Sequence, residues 1–369
     1  MSRAMFRVAV LNSHQSKTPV GDELWVRQTI AAVDHAARQG WTIISSVDLN
    51  TWELVTWAAA RVRASLEIVV PHPGDETARQ TIVDDFVLDL DRVRWHSLGT
   101  PSEHPRPKTW WTARDEFISS HADILLPVSV RPGGRIDSLM AYRSAGQTVD
   151  ERFRIPYDPR AHHERSLVDR DRVNPQFDDW GAGFLIHWTR ARHGPWPAEC
   201  AADYYADLVA SGDIYCRSAL ATLTRIVGEG IIRASSWRVG AKHPMVAFTA
   251  LSPGQSLPLM RWRTRWSRWS FEPYGIAIHR DWAGAHGVRA VCYVTEAEWK
   301  RLPSHERPFC HRRGRAADIW PAEQEWRHQG DVRLSDVPLS DVRLIVRRES
   351  EATTLRETIP FPVCALELS

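Results

Sequence analysis

Buried apolar runs alternate with helix-periodic segments over the first third of the chain. Phe6 to Leu11 (FRVAVL) is apolar almost throughout, as a parallel strand buried on both faces should be, and it ends in the polar turn Asn12-Ser13-His14. Residues 22–39 place Leu24, Ile30, Val33 and Ala37 on one helical face, with Gly40 as C-cap. A second strand is expected at 41–45, a helix over 52–63 capped by Asn50 or Thr51, and a third strand at 66–70 (LEIVV). This β-α-β-α-β order predicts a doubly wound parallel sheet. Residues 84–90 and 93–97 read as a short strand-like region and residues 99–109 as a proline-rich loop. The stretch from Trp111 to Ser138 then supplies a helix bearing Arg114 and Asp115, a buried strand over 122–128 (ADILLPV), and the turn Ser129 to Gly134 (SVRPGG).

The pattern changes after residue 141. Residues 141–178 are charged and poor in apolar positions, which places a domain boundary near 155–180. Residues 198–211 and 216–229 read as a helical pair, with a small winged-helix element as the alternative reading. Further on, VAFT (246–249), the segment after Pro273-Tyr274-Gly275, VRAVCYV (288–294), Val332 to Leu334 and 342–346 read as strands of an α+β domain. The expected organisation is a Rossmann-like α/β nucleotide-binding domain over 1–155, a linker and helical connector over 156–235, and an α+β effector domain over 236–369.

Composition narrows the function classes. With 43% hydrophobic and 25% charged residues, the 369-residue chain has ample core for two domains. A net charge of +2 gives no bulk argument for nucleic acid, so only a local patch could supply one. The 18 tryptophans belong mostly in cores, with a few available as stacking platforms. The five cysteines are widely spaced without a CxxC pair, which fits a reduced cytosol and argues against a disulfide framework or a zinc ribbon. Neither His162-His163-Glu164 nor Cys310-His311 has the spacing of a metal site, and no motif calls for a cofactor. No signal peptide and no membrane-length apolar run is present, so the chain reads as cytoplasmic, with no membrane partner. Self-association into a homo-oligomer is left open.

Three groups of residues carry candidate chemistry. In an open α/β sheet, ligands sit beyond the carboxyl ends of the strands. Asn12, Ser13, Ser45, Ser46, Thr51 and Ser129 belong there, and Gly133-Gly134 admit close backbone approach to an anion. Arg114 would pair with a phosphate, beside Asp115. Second, Arg261, Arg265 and Arg268 share one helical face, with Trp262, Trp266 and Trp269 on its neighbour; this predicts an amphipathic helix or a basic aromatic surface for nucleic acid. Third, Glu323, Glu325 and Arg327 alternate, and in a strand would offer two carboxylates and a cation on one side, with Tyr274, His279 and Arg280 as further candidates. That group is compatible with attack on a glycosidic or phosphate bond, or with a salt-bridged structural cluster.

The lines VAVLNSH, AARQGWTIISSVDLNTWELVTWAAARVRASLEIVV and RDEFISSHADILLPVSVRPGG resemble the SMF/DprA and LOG group of Rossmann-like domains, the SLOG superfamily. Gly40, Ser45-Ser46 and Thr51 match the glycine, Ser-Gly turn and helix start of the DNA-processing members. Arg114, Asp115 and Pro132-Gly133-Gly134 match the arginine and PGG turn of the LOG members. The resemblance implies nucleotide binding over about the first 150 residues. It departs from the LOG pattern at Ile136, Asp137 and Met140, where Gly, Thr and Glu would stand, so base removal from a nucleoside monophosphate is disfavoured. FTALS, PYGIAIHRDWA, VRAVCYV and EQEWRHQGDV resemble the C-terminal part of AbiGi-type abortive-infection proteins, which implies a role in phage defence. The expected protein binds a nucleotide or nucleotide-derived small molecule and carries a C-terminal effector, a hydrolase or transferase, acting on nucleotides or nucleic acid. The alternatives are a non-enzymatic single-strand DNA-binding protein and a nucleoside-monophosphate N-glycosidase.

Overall fold

The computed structural model describes residues 6–70, 76–99, 107–142, 146–158, 168–177, 180, 183–235, 243–263, 268–313 and 320–368. The chain forms two units, residues 1–162 with 193–217, and residues 163–192 with 218–369.

The first unit is built on β1 (Arg7–Leu11), α1 (Leu24–Arg38), β2 (Thr42–Ser46), α2 (Asn50–Arg61), β3 (Leu66–Val70), α3 (Glu76–Phe86), β4 (Val93–Ser97), α4 (Pro107–His121), β5 (Ile124–Pro127), α5 (Arg135–Ala141) and β6 (Thr148–Val149). All six strands are parallel, in the order β4-β3-β2-β1-β5-β6. The chain winds outward from β1 to β4, then returns through α4 to lay β5 against the other side of β1. The winding direction reverses between β1 and β5, which makes their carboxyl ends the switch-point crevice of this sheet. β2 and β3 are buried at every position, as strands covered on both faces must be.

Residues 84–90 are not strand-like. Through Phe86 they end α3, whose only buried residues are Val83 and Phe86, one turn apart on one face. A short apolar stripe on a largely polar helix resembles a short strand when read by run length alone.

The region read as a helical pair is shared between the units. The helix α6 (Ala201–Ala210) belongs to the first unit and packs on α2 and α3, whereas the helix over 219–229 belongs to the second. The ring of Tyr205 lies 6.1 Å from that of Trp57 and 6.4 Å from that of Phe86. Its hydroxyl donates to Glu53 Oε2 at 2.9 Å. Burial pushes the Glu53 carboxyl up, and the Tyr205 bond opposes that rise. Tyr205→Phe leaves this buried carboxyl short of a donor and is expected to cost about 1–3 kcal/mol in urea unfolding. An unchanged midpoint would show that water replaces the hydroxyl.

The second unit contains β7 (Phe184–Trp188), α7 (Ala219–Glu229), β8 (Ile231–Ile232), β9 (Met245–Thr249), α8 (Pro253–Ser256), β10 (Trp262–Arg263), β11 (Arg268–Trp269), β12 (Gly275–His279), α9 (Arg280–Ala285), β13 (Arg289–Ala290), β14 (Cys292–Val294), α10 (Glu296–Arg301), β15 (Cys310–Arg312), β16 (Glu325–Gln329), β17 (Val332–Arg333), β18 (Val342–Val346), α11 (Glu349–Arg356) and β19 (Val363–Ala365). Its main sheet is mixed, in the order β13-β16-β9-β7-β12-β18-β19, with only the last pair parallel. One face packs Leu185, Val246, Phe248, Ile276 and Leu344 against Leu223 and Val227 of α7 and Ala352 of α11. The other buries Ile186, Trp188, Ala277 and Ile345 with Val168, Phe177 and Leu366.

Three readings are corrected in this unit. The winged-helix reading falls, because β8 pairs with β17, a hundred residues onward, and the two proposed helices lie in different units. VRAVCYV is broken at Val291: β13 joins the main sheet, while β14 pairs with β15. The Arg/Trp stretch is a hairpin, with Trp262 opposite Trp269 and Arg263 opposite Arg268. The two indole rings meet edge to face with centroids 6.0 Å apart. A cross-strand aromatic pair can be satisfied by the same sequence that mimics an i, i+4, i+7 stripe. The helical arginine face therefore does not form. Arg261 is exposed, Arg268 turns inward, and Arg265 lies outside the described residues.

Candidate functional site

The loops after β1 and β5 are tied together by the polar residues expected to receive a ligand. Asn12 is buried; its Nδ2 donates to Thr29 Oγ1 at 2.9 Å, and its Oδ1 accepts from the Ser129 amide at 3.2 Å. The Ser13 amide donates to the Ser129 carbonyl at 2.8 Å, and Ser13 Oγ accepts from the Arg131 amide at 2.9 Å. These residues shape the crevice by holding its two loops in register.

Ser45 and Ser46 are corrected as ligand donors. Both are fully buried; Ser45 Oγ donates to the Trp52 carbonyl at 3.0 Å and Ser46 Oγ to the Val69 carbonyl at 2.7 Å. Gly133 and Gly134 are corrected as backbone donors. The Gly133 amide donates to Asp137 Oδ2 at 2.9 Å and the Gly134 amide to the Arg131 carbonyl at 3.0 Å, so the turn consumes both. Gly133 is nevertheless required there, because its φ of +65° is costly for a residue with a Cβ. Met140 and Ile136 pack in the core cluster with Leu125 and Ile118.

Among the described residues, Arg114 is the charged crevice residue with a hydrogen-bonding atom to spare. It is only 1% exposed, on α4. Its guanidinium lies over the rings of Trp52 (5.5 Å) and Trp110 (6.0 Å), and its Nε and Nη2 donate to Asp115 Oδ1 at 3.0 and 2.9 Å. Arg114 Nη1 and the buried Thr51 Oγ1 and Trp110 Nε1 have no hydrogen-bond partner among the described residues. Burial pulls Arg114 below its ordinary value, countered first by the charge of Asp115. Burial pushes Asp115 up despite Arg114, Arg135 and a bond from Trp52. Buried donors without partners are rare, and a charged one is a strong hydrogen-bonding site. The stacking tryptophans were missed from sequence; the signal was their position, one at the start of α2 and one a turn before Arg114.

The second unit holds a partly enclosed cavity of about 220 Å³. Glu323, Glu325 and Arg327 all line it, with His187, His311, Arg190, Arg233, Arg268, Thr249 and Ser270. Glu325 and Arg327 are alternate residues of β16 and share a face, while Glu323 reaches the cavity from the turn before the strand. Arg327 Nε donates to Glu325 Oε1 at 2.8 Å and Nη2 to Oε2 at 3.1 Å; His311 Nε2 lies 2.9 Å from Glu325 Oε2. Burial pushes Glu325 up, but these bonds outweigh it and hold the carboxyl below its ordinary range. Glu323 is displaced the other way, raised first by burial and then by the charge of Glu325. The two neighbouring carboxyls are thus displaced in opposite directions by their surroundings.

His187 and His311 were not among the residues singled out for this group. His187 Nδ1 bonds the Ala247 carbonyl at 2.8 Å, across a stretch where β7 and β9 share one register pair. Burial lowers its pKa to about 4, so the ring is neutral at physiological pH. Tyr274 is corrected as a member of the group. It does not line the cavity, its hydroxyl donates to Glu351 Oε1 at 2.9 Å, and burial pushes its pKa far up. His279 and Arg280 also lie away from the lining; Arg280 stacks 5.2 Å over Trp326. No group of three metal-ligating side chains occurs among the described residues, and no described helix is long and apolar enough to cross a membrane.

No protein-family model matches the chain, and no curated protein matches it. Similar solved structures include TM1055, a structural-genomics target, at 15% identity over 37% of this chain and 69% of that one, with a TM-score of 0.26. Another is DNA processing protein A from Helicobacter pylori, at 13% identity over 34% of this chain, TM-score 0.24; the match spans 54% of that protein's length. A third is the Chlamydomonas rheinhardtii Moco carrier protein, at 14% identity, covering 37% of this chain and 69% of that one, TM-score 0.23. The parallel strand order and its switch point, rather than these likenesses, define the fold of the first unit.

Proposed function

We propose that the first unit is a SLOG-type domain that holds a nucleotide or nucleotide-derived ligand at the β1/β5 switch point, with Arg114 as the phosphate anchor. The observation that carries this reading is the buried Arg114 guanidinium, whose Nη1 has no partner among the described residues. A phosphate oxygen would satisfy that donor with a charge-assisted bond, and Thr51 Oγ1, adjacent in sequence to the Trp52 that stacks on Arg114, adds a second donor. Because Nη1 is covered, ligand entry is coupled to movement of the side chains around it. The crevice acts as a binding site without hydrolase chemistry, since Met140 supplies no carboxylate. The second unit is the effector, in keeping with its resemblance to AbiGi-type proteins.

The test is mass spectrometry of small molecules retained through native purification, followed by equilibrium binding of nucleoside monophosphates. Wild-type protein is expected to retain or bind a nucleotide, and Arg114→Ala to weaken that binding about tenfold or more. Arg114→Lys, which keeps the charge but loses the guanidinium fork, should fall between them. Equal binding by all three folded proteins would remove Arg114 from the site.

A further inference from the structure

Two of the five cysteines, kept apart in the sequence by α10, meet in the second unit. β14 and β15 run parallel, and their register sets Cys292 directly opposite Cys310, Tyr293 opposite His311 and Val294 opposite Arg312. Opposed residues of neighbouring strands project from the same face, and successive pairs alternate between faces. The rings follow that rule: Tyr293 and His311 lie stacked, with centroids 5.9 Å apart and planes at 26°. The two cysteines therefore share the other face. Neighbouring strands run about 4.8 Å apart, inside the roughly 4.4–6.8 Å between Cα atoms that a disulfide spans. Cys364, by contrast, lies opposite Ile345.

The two thiols are unequal. Cys292 is exposed, whereas Cys310 is buried. Burial pushes the Cys310 thiol up, and the charge of Cys292 acts next in the same direction. The Arg289 guanidinium sits 4.3 Å over the Phe309 ring, pairs with Glu306 at 2.6 Å, and feels the charge of both thiols. An exposed thiol with a buried one opposite is the arrangement of an attacking cysteine and its resolving partner.

We propose that Cys292 and Cys310 form a redox-modification site, at which a hydroperoxide converts the two thiols into a disulfide between β14 and β15. With hydrogen peroxide, the Cys292 thiolate attacks one oxygen. An S–O bond forms, the O–O bond breaks, and the departing hydroxide takes up the proton that Cys292 released and leaves as water. Cys292 is then a sulfenic acid. The Cys310 sulfur attacks the sulfenic sulfur; the S–S bond forms, the S–O bond breaks, and the hydroxyl leaves with the Cys310 proton as a second water. The two sulfurs lose two electrons and the peroxide gains them. The disulfide fastens the strand that carries His311, whose Nε2 lies 2.9 Å from Glu325 Oε2 at the cavity wall. The proposal is independent of the nucleotide reading for the first unit.

The test treats the reduced full chain with one equivalent of hydrogen peroxide and maps its cysteines by peptide mass spectrometry. The expected product is one intramolecular Cys292–Cys310 disulfide, seen as the loss of these two free thiols and their return with dithiothreitol. Cys310→Ser should stop at a Cys292 sulfenic acid that dimedone traps, because the resolving sulfur is gone. Cys292→Ser should leave Cys310 a thiol, because the exposed attacking sulfur is gone. In urea, oxidised wild type should unfold at a higher midpoint than the reduced protein, since the crosslink restricts the unfolded chain, and neither serine variant should show that shift. Five unreacted thiols, a Cys292 sulfinic acid beside a free Cys310, or a disulfide made with another cysteine or a second chain would each overturn the proposal. A lower urea midpoint for the oxidised chain would overturn it too, by showing that the native register does not accommodate the bond.

Discussion

Arg327→Ala is expected to destabilise the second unit by about 3–5 kcal/mol. The arginine is 6% exposed, and its fork closes on Glu325 at 2.8 and 3.1 Å. Removing it leaves a largely buried carboxylate facing His311 alone and frees the Pro308 carbonyl, which accepts from Arg327 Nη1. Losing one partner costs more than the pair is worth, because the remaining charge keeps its desolvation penalty. Urea unfolding followed by tryptophan fluorescence reads the change. Arg327→Lys should recover part of it, since it restores the charge without the two-pronged geometry. A loss under about 1 kcal/mol for the alanine variant would place the pair in the class of solvent-screened surface bridges.

The second large effect is hidden in the wild type and exposed by single substitutions. Burial raises the Glu272 carboxyl from its ordinary 4.5 to about 7, although the Ala191 amide donates to it at 2.7 Å. A raised folded value means stability that is complete below pH 4.5 and is lost as pH rises through about 7. Burial lowers His187 from 6.5 to about 4, so its contribution is complete above pH 6.5 and is lost as pH falls through about 4. Each slope is about 1.4 kcal/mol per pH unit, or about 3 kcal/mol over its window. Between pH 4.5 and 6.5 the two slopes have opposite signs and cancel. Glu272→Gln should therefore give a unit whose stability rises with pH over this range, and His187→Gln one whose stability falls. The check is a series of urea midpoints from pH 4.5 to 7.5. Parallel pH profiles for wild type and both variants would show that neither group is shielded from water in the fold.

The first unit was largely legible because its determinants are local. Apolar strands such as LEIVV announce themselves by their unbroken run, and a doubly wound sheet keeps sequence neighbours as spatial neighbours until the single reversal at α4; the stripe read for α1 was misplaced, since Leu24 is 61% exposed and the buried face carries Trp25, Val26, Thr29, Ala32, Val33 and Ala36. Its site was legible only in outline. That Arg114 would lie at the carboxyl edge followed from its place ahead of β5. That Ser45, Ser46 and both glycine amides would be spent on internal bonds did not, because hydrogen-bond partners such as Trp52, Val69 and Asp137 are assigned by three-dimensional proximity.

In the second unit the balance shifts. Residue alternation alone determined that Glu325 and Arg327 would share a face if they lay in a strand, and the period-2 geometry of β16 meets that condition. Only the tertiary structure brought Glu323, His187, His311 and Arg190 to the same cavity, since they arrive from separate turns and strands up to 136 positions apart in the numbering. It also decided between helix and hairpin for the Arg/Trp stretch, where the period fits one and the cross-strand Trp262–Trp269 contact selects the other. Sequence thus determined local periodicity and the residue types available for chemistry. Tertiary packing decided burial, and through burial which charges are neutralised, which protons are held, and which donors remain for a ligand.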